Sequence, residues 1–583
     1  MKRYIILYAT AAVAVMALLP VSAQDMKASM NKQVEVTKLY VPDIAPADKL
    51  AIEPDMTDTV KMRPDIDYSI TPLSWQTNLT TEKFRPATMS YWDFNRPRNF
   101  YLKAGVGYPL LSEGDLYAST QNPDTGFLTF YANHNGCYDN IKNFFGEKYD
   151  SRSMHNRLGL NLGWYAGKRI LEGDFSYDMN DCRRYAGSKR VGEDADQRAK
   201  NLAAAVGDKV STGVLNGAIR FGDDFEDLSR VNFNIGVRGS MFRDKSAIRN
   251  MNTFETPVQM GAEDMRYAEN TLGASAAIAR GFGRHSLRAD VDFDTYDGAF
   301  SLRDYGNTML RAGLRYGRDG GKVDYMIGAD YHYDKYRFDD KPSHYVTPYL
   351  RLRFNISRKG HFVPFIEADG EMRNNGYMSL TRINPYVIPG TTADNTLQYN
   401  ARVGFSGNVA GDRLAYRILL GASFAEKDLF WYVQDYMWFG VENARRNTLY
   451  FKAELTYRPV SGFILTAGAE GRSFSKKSEL NNAVPAFEGH AGAEYNYRGW
   501  KFGVRADMCG VSYWTNKIGS DTANWRTFKK SFTTDMTAYI EWSYRSDVGF
   551  YLEGRNLLNE SLYPIAYYRS YGIGGVFGVR VQF

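Results

Sequence analysis

The chain ends on Ser570 to Phe583 (SYGIGGVFGVRVQF), in which Ile573, Phe577, Val579, Val581 and Phe583 alternate with a set that includes Arg580 and Gln582. A period of two places these sets on opposite faces of a strand. One apolar and one polar face, closing on an aromatic residue, suit a wall between lipid and a wet interior. The fold class expected is all-β, a transmembrane antiparallel β-barrel with Phe577, Val579, Val581 and Phe583 facing the bilayer. Arginine at Val579 should then cost about 2 to 4 kcal/mol. Arginine at Gly578 should face the lumen and be better tolerated.

The amino end agrees with export. Lys2 and Arg3 precede an apolar run from Tyr4 to Leu19, and Val21-Ser22-Ala23 supplies the small residues of a cleavage site before Gln24. Residues 1–23 therefore read as a signal peptide. No other stretch holds the roughly 20 apolar residues of a spanning helix, and the mean hydropathy of −0.44 resembles that of a soluble protein. A barrel reconciles the two, because every second residue of its strands is polar. Aromatic residues make up 15% of the chain, with 42 Tyr, which suits interfacial girdles. A net charge of +6, with basic and acidic residues interleaved throughout, gives no nucleic-acid footprint.

From Asn99 to Phe583 the chain runs through alternating segments, such as Val231, Phe233, Ile235 and Val237 against Asn232, Asn234 and Arg238. Leu287, Ala289, Val291 and Phe293 likewise alternate with Arg288, Asp290, Asp292 and Asp294. Leu350, Leu352, Phe354 and Ile356, and Phe502, Val504, Ala506 and Met508, follow the same pattern. Charges on the inner set require an aqueous lumen or one filled by something polar. Tight links, such as Ala166-Gly167-Lys168, Ala410-Gly411-Asp412 and Arg498-Gly499, take turns with long ones, such as Asn135 to Met154, Asn180 to Asp208, Asn374 to Asn395 and Lys427 to Arg446. Short periplasmic turns and long external loops are expected of a barrel, and the count is about 22 strands in 99–583. It falls to about 20 if the first three, Asn99 to His134, are not all strands.

Residues 24–98 differ in kind. Pro42, Pro46, Pro54, Pro64, Pro72, Pro86 and Pro97 interrupt short apolar groups such as Leu50-Ala51-Ile52, and no period is sustained. Such a segment is extended. It reads as a periplasmic or lumen-lining arm that inserts into the barrel or docks on a partner, with a plain linker as the other reading.

The run Gly554-Arg555-Asn556-Leu557-Leu558-Asn559, then Tyr563, then Tyr571-Gly572-Ile573-Gly574-Gly575 and a final Phe583, resembles the end of the barrel in TonB-dependent receptors. The aromatic content resembles receptor-like barrels of Bacteroides-type bacteria. The resemblance implies a Gram-negative outer-membrane location, contact with outer-membrane lipids, transport of solutes across that membrane, and recognition of the final strand by the barrel-assembly machinery. Phe577, Val579, Val581 and Phe583 would then be a terminal assembly signal. Such receptors carry a folded plug in the lumen, and 24–98 shows no plug-like alternation. Lys32-Gln33-Val34-Glu35-Val36-Thr37 resembles the extended segment by which these receptors pair with an energy-transducing partner by strand addition.

No catalytic, cofactor or metal constellation stands out, and an enzyme is not expected. His134, His155, His285, His332, His344, His361 and His490 are spread singly, with no ligand spacing. Gly572-Ile573-Gly574 lies in a strand, where a phosphate loop would need a following helix. Asp290, Asp292 and Asp294 read as lumen residues compensated by Arg288. Cys137 and Cys182 fall in neighbouring external loops, so a bridge and free thiols both remain open, with Cys509 as the third cysteine. Phe430, Trp431, Tyr432, Tyr436, Trp438 and Phe439 form a candidate external binding loop, and a girdle at the strand ends explains them equally well. Two functions compete. One is a receptor-like transporter whose lumen the arm gates. The other is a structural subunit of an assembly or secretion complex, with periplasmic or lipoprotein partners held through 24–98.

Overall fold

The computed structural model describes residues 99–583 apart from 123–124, 187–206, 226, 249–264, 358–359, 410, 412 and 519–521. The readings on 1–23 and 24–98, including Lys32 to Thr37, lie outside the described residues. Within them the chain is an all-β, closed antiparallel barrel of 22 strands. The first three segments are strands: Phe100–Tyr108, Leu111–Asn122 and Gly126–Cys137.

Closure is made by the two ends. The first strand pairs with the last, Gly574–Gln582, placing Ala104 opposite Val579 and Val106 opposite Phe577. Phe100 and Phe583 exchange backbone bonds of 2.9 and 3.0 Å, and their rings stack with centroids 4.7 Å apart. No strand edge is left unpaired at this seam.

The alternation sorts the side chains as expected. Ile235, Val237, Leu272, Ile278, Leu314 and Ile327 are large, apolar and exposed around the outside, which only lipid can cover without cost. Trp164, Tyr497, Trp500, Trp542 and Tyr544 lie near the tight turns and form the periplasmic girdle. Phe577 and Phe583 are outward and exposed. Gly578 points inward, but room is lacking. A Cβ there would lie 2.3 Å from Tyr551 Oη and 2.4 Å from the carbonyl oxygen of Ala104. Arginine at Gly578 is thus a steric insult as well as a change of face.

The external connections carry their own structure. The stretch from Lys427 to Arg446, expected as a long loop, is instead the top of a hairpin. Strands Leu414–Gln434 and Trp438–Tyr457 continue past the rim and leave only Asp435, Tyr436 and Met437 between them. A register shift between Ala425 and Asp428, with Lys427 at φ 51°, lets the ladder resume above the membrane. The extension holds because both faces of the upper hairpin find apolar partners. A seven-residue helix, Tyr377–Ile383, lies in the connection between Val363–Arg373 and Thr396–Val409. A small hairpin, Ser512–Lys517 with Arg526–Lys530, rises from another loop.

Candidate functional site: the lumen and its external cap

The inward set of the wall is charged and internally paired. Four strands out of a run of five bring Arg238, Arg288, Arg311 and Arg315 against Asp290, Asp292, Asp294 and Asp330. Arg315 is 1% exposed. Its guanidinium reaches Asp290 at 2.5 Å and Asp330 at 2.9 Å while lying 4.5 Å above the Tyr349 ring. Arg311 bridges Asp290 at 2.6 Å and Asp330 at 3.2 Å and also binds Asp292. Arg238 takes Asp294 at 2.7 Å, and Arg288 lies 3.8 Å from Asp290. Register places Arg311 directly opposite Asp292, and the other aspartates are reached diagonally or across an intervening strand, Asp290 by Arg315 and Asp294 by Arg238.

A second patch follows around the wall. Glu367 forms ion pairs with Arg417 at 3.6 Å and Arg351 at 3.9 Å, and Arg402 pairs with Asp369. Arg472 clamps Glu470 and Glu488 at 2.6 and 2.7 Å. All of these groups except Glu488 line a cavity of about 1100 Å³. Each charge is costly to strip of its partner inside a wall of low dielectric. Together they make a polar surface without large net charge.

Over the external mouth the loops meet in two apolar cores. The first contains Tyr386, Val433, Phe439, Trp514, Phe528, Leu562, Ile565 and Tyr568. The second contains Phe242, Tyr267, Tyr305, Tyr377, Leu380, Met437 and Trp438. The hairpin tip joins them. On one side Ile388 N donates to Phe439 O at 2.8 Å and Phe439 N to Tyr386 O at 3.1 Å; on the other, Asp435 N donates to Lys517 O at 3.0 Å. Tyr386 and Tyr568 stack with centroids 3.7 Å apart, and Tyr568 Oη donates to Met437 O at 2.8 Å.

An asparagine cluster fixes the helix-bearing loop to the wall. Asn374 Nδ2 donates to Tyr305 Oη at 2.8 Å, and Asn395 Nδ2 to Asp334 Oδ1 at 2.9 Å, while Asn307 Nδ2 donates to the same carboxylate at 2.7 Å. Glu269, above the apolar band, is fully buried and accepts the Met378 N–H of the helix at 3.0 Å. Burial pushes its carboxyl up to about 7, more than the helix N–H bonds pull it down. In the loop hairpin, burial pushes the Lys530 ammonium down to about 7, beside Cys509 Sγ at 3.3 Å.

The aromatic run singled out from sequence is part of this cap. Phe430, Trp438 and Phe439 are buried in it. Trp431, Tyr432 and Tyr436 are half-buried at its edge, with Lys517 Nζ 3.9 Å above the Tyr432 ring and Phe145 against Tyr436 at 5.4 Å. Their partners Tyr386, Trp514 and Tyr568 carried no signal in the sequence, because each lies in a loop without period. Cys137, Cys182 and Cys509 are buried free thiols.

A closed 22-stranded barrel with an apolar exterior is an outer-membrane protein of a Gram-negative cell. No protein-family model matches the sequence, and no curated protein matches it. Solved structures share the fold. The FrpB iron transporter from Neisseria meningitidis (F3-3 variant) is similar at a TM-score of 0.62 and 14% identity, over 83% of this chain and 82% of that one. The pyoverdine outer membrane receptor FpvA from Pseudomonas aeruginosa PAO1, bound to pyoverdine, gives 0.59 and 10% over 83% and 78%. The copper transporter OprC gives 0.59 and 12% over 83% and 80%. The likeness is one of fold, and it is the barrel of TonB-dependent receptors that the terminal residues resemble.

Proposed function

We propose that the chain is a receptor-like outer-membrane barrel that moves a solute across the membrane through its polar lumen. The observation that carries this reading is the cavity of about 1100 Å³, lined by paired charges and lying within the barrel whose mouth the cap covers. Paired charges offer a polar solute both signs of contact at every level of the wall. The cap is then the external gate, with Phe430, Trp431, Tyr432, Tyr436, Trp438 and Phe439 as its hinge and rim. Residues 24–98 gate from the periplasmic side, and the final strand is the signal read by the assembly machinery. The fold neighbours are receptors and transporters for pyoverdine, iron and copper, which supports a transport role and leaves the cargo open.

The test is conductance in planar bilayers. Wild-type protein should be nearly silent, and deletion of Asp435 to Met437 or of residues 25–85 should open it. Silence in both deletions, with folding intact, rejects gating at both ends. A second reading, a structural subunit of an assembly or secretion complex, draws support from backbone bonds that tie the hairpin tip on both sides and favour a permanent cover. Purification from gently solubilised membranes separates the two. Stoichiometric lipoprotein or periplasmic companions favour the subunit, and a lone chain favours the transporter.

A further inference from the structure

The outer wall carries a polar cluster, at the external end of its first strands, that neither transport nor the cap uses. Strand pairing places outward residues of five strands in rows. One row reads Ala104, Gly114, His134, Asn156 and Met179. The row above it contains Val106, Ser112, Gly136 and Met154, and the row below contains Leu102, Leu116, Ala132, Leu158 and Tyr177. Ser112, His134 and Asn156 are therefore neighbours on the lipid-facing side, brought together from positions 22 residues apart along the chain.

Their contacts form a relay. Ser112 Oγ lies 2.7 Å from His134 Nε2, and His134 Nδ1 lies 2.6 Å from Asn156 Oδ1. An amide oxygen only accepts, so Nδ1 carries the proton and Nε2 is left bare to accept from the serine hydroxyl. That tautomer makes the imidazole a general base for Ser112, with Asn156 as its orienting residue. A second hydroxyl is close. A Cβ placed on Gly136 would sit 2.9 Å from Ser112 Oγ and 2.7 Å from Tyr138 Oη, so both oxygens flank one point in front of the serine. Tyr138 is 41% exposed and its hydroxyl can donate to an oxyanion formed there.

Below the relay is an apolar groove of about 490 Å³, lined by Leu102, Gly114, Leu116, Ala132, Leu158 and Tyr177. Gly114 leaves its floor open, since a Cβ there would meet nothing closer than 3.9 Å. Depth fixes what enters. Asn156 lies eight residues above Trp164 of the periplasmic girdle on strand Ser153–Ala166, a height of about 20 Å at roughly 3.3 Å per residue and a tilt near 40°. The apolar band of such barrels is about 25 Å tall. The relay thus sits at the top of the band, where acyl esters of the outer leaflet meet water, with the groove running down beside their chains.

We propose that Ser112, His134 and Asn156 form a serine esterase site on the outside of the barrel, taking an acyl-ester lipid of the outer leaflet. Ser112 Oγ bonds to the ester carbonyl carbon as His134 Nε2 takes the hydroxyl proton. The bond from that carbon to the alcohol oxygen breaks, and the alcohol leaves with the same proton. Water then attacks the acyl-serine, giving its proton to Nε2; the Ser112 oxygen leaves with that proton, and a fatty acid is released. Tyr138 Oη donates to the oxyanion in both halves. Ser112, His134 and Tyr138 are the catalytic residues, and Asn156 is a positioning residue.

The experiment uses the full chain in mixed micelles with phosphatidylcholine in one arm and acylated lipid A in the other, with a fluorophosphonate probe in a third. Heat-modifiable migration confirms that each variant is folded. Wild type should release fatty acid in one lipid arm and carry the probe on Ser112. Ser112→Ala should lose both, and His134→Ala should fall at least about 100-fold in each. Asn156→Asp should retain the alkaline limb of the pH profile better than Asn156→Ala, a difference that a role in folding alone would not produce. The lipid arm that responds identifies the acyl source. No fatty acid from either lipid with folded wild type, whether or not the probe reacts, overturns the proposal. Release that persists in Ser112→Ala does so as well.

Discussion

Replacing Trp438 by Ala tests whether the cap is held by its apolar core. Trp438 is fully buried in the apolar core it shares with Tyr377 and Leu380 of the helix, Val387 and Met437, so the change removes a large side chain from a site flanked by backbone bonds at Phe439. Truncations of this kind cost about 3 to 5 kcal/mol. The cost falls on the cap alone, because the barrel wall closes through its own ladder. Local opening should therefore become about two to nearly four orders of magnitude more frequent, at one order per 1.36 kcal/mol. Hydrogen exchange reads this at the amides of Ile388, Phe439 and Asp435, which bridge the cap segments. The wall amides that pair Ile235 and Val237 with Ala276 and Ala274 serve as the internal standard. Exchange at the three cap amides should rise by that factor while the wall stays unchanged. Unchanged cap exchange, or cap and wall rising together, refutes the idea of a separately stabilised gate.

Three further outcomes follow from the same geometry. Val579→Arg should lower the yield of heat-modifiable barrel by about 2 to 4 kcal/mol equivalent, whereas Tyr497→Arg at the periplasmic rim should cost at most about 1 kcal/mol; equal losses would mean that Val579 does not lie at mid-depth. Burial raises the Glu269 carboxyl from its ordinary 4.5 to about 7, so the folded cap prefers the protonated form. Its stabilisation, on the order of 3 kcal/mol, is complete below about pH 4.5 and is lost as pH rises through about 7. Exchange at helix amides 380–384, corrected for intrinsic rates, should be slower at pH 5 than at pH 8, and Glu269→Gln should abolish the difference. Arg315→Ala leaves Asp290 and Asp330 with one cation fewer in a buried wall and should destabilise by about 3 to 5 kcal/mol, read as folded fraction in urea, with Arg315→Lys falling between it and wild type.

The wall was legible because its physics is local. One residue decides one face, so Val237 outward and Arg238 inward follow from parity alone, whereas the partners Arg238, Arg311 and Arg315 of the inward aspartates depend on register and only Arg288 was read beside them. The cap's assembly was not legible, because Tyr386, Trp514 and Tyr568 meet Phe439 across loops with no repeating period. Phe430 to Phe439 read as a loop because an aromatic cluster signals burial without saying against what. Gly578 marks another boundary. Parity gave its direction, but the closeness of Tyr551 Oη depends on the neighbouring strand's side chain. Ser112, His134 and Asn156 were invisible for the same reason, since only register makes them neighbours.

The seam between Phe100 and Phe583 also sets the order of assembly. Until the last residue has emerged and found the first strand, the molecule is an open sheet with two bare edges, each a template for any other strand it meets. The loops of the cap all precede that last strand in the chain, yet they can settle only over a mouth that closure has made. The barrel therefore becomes a vessel in a single step at its end, and a chain that stops a strand short of Phe583 is left as a ribbon seeking a partner.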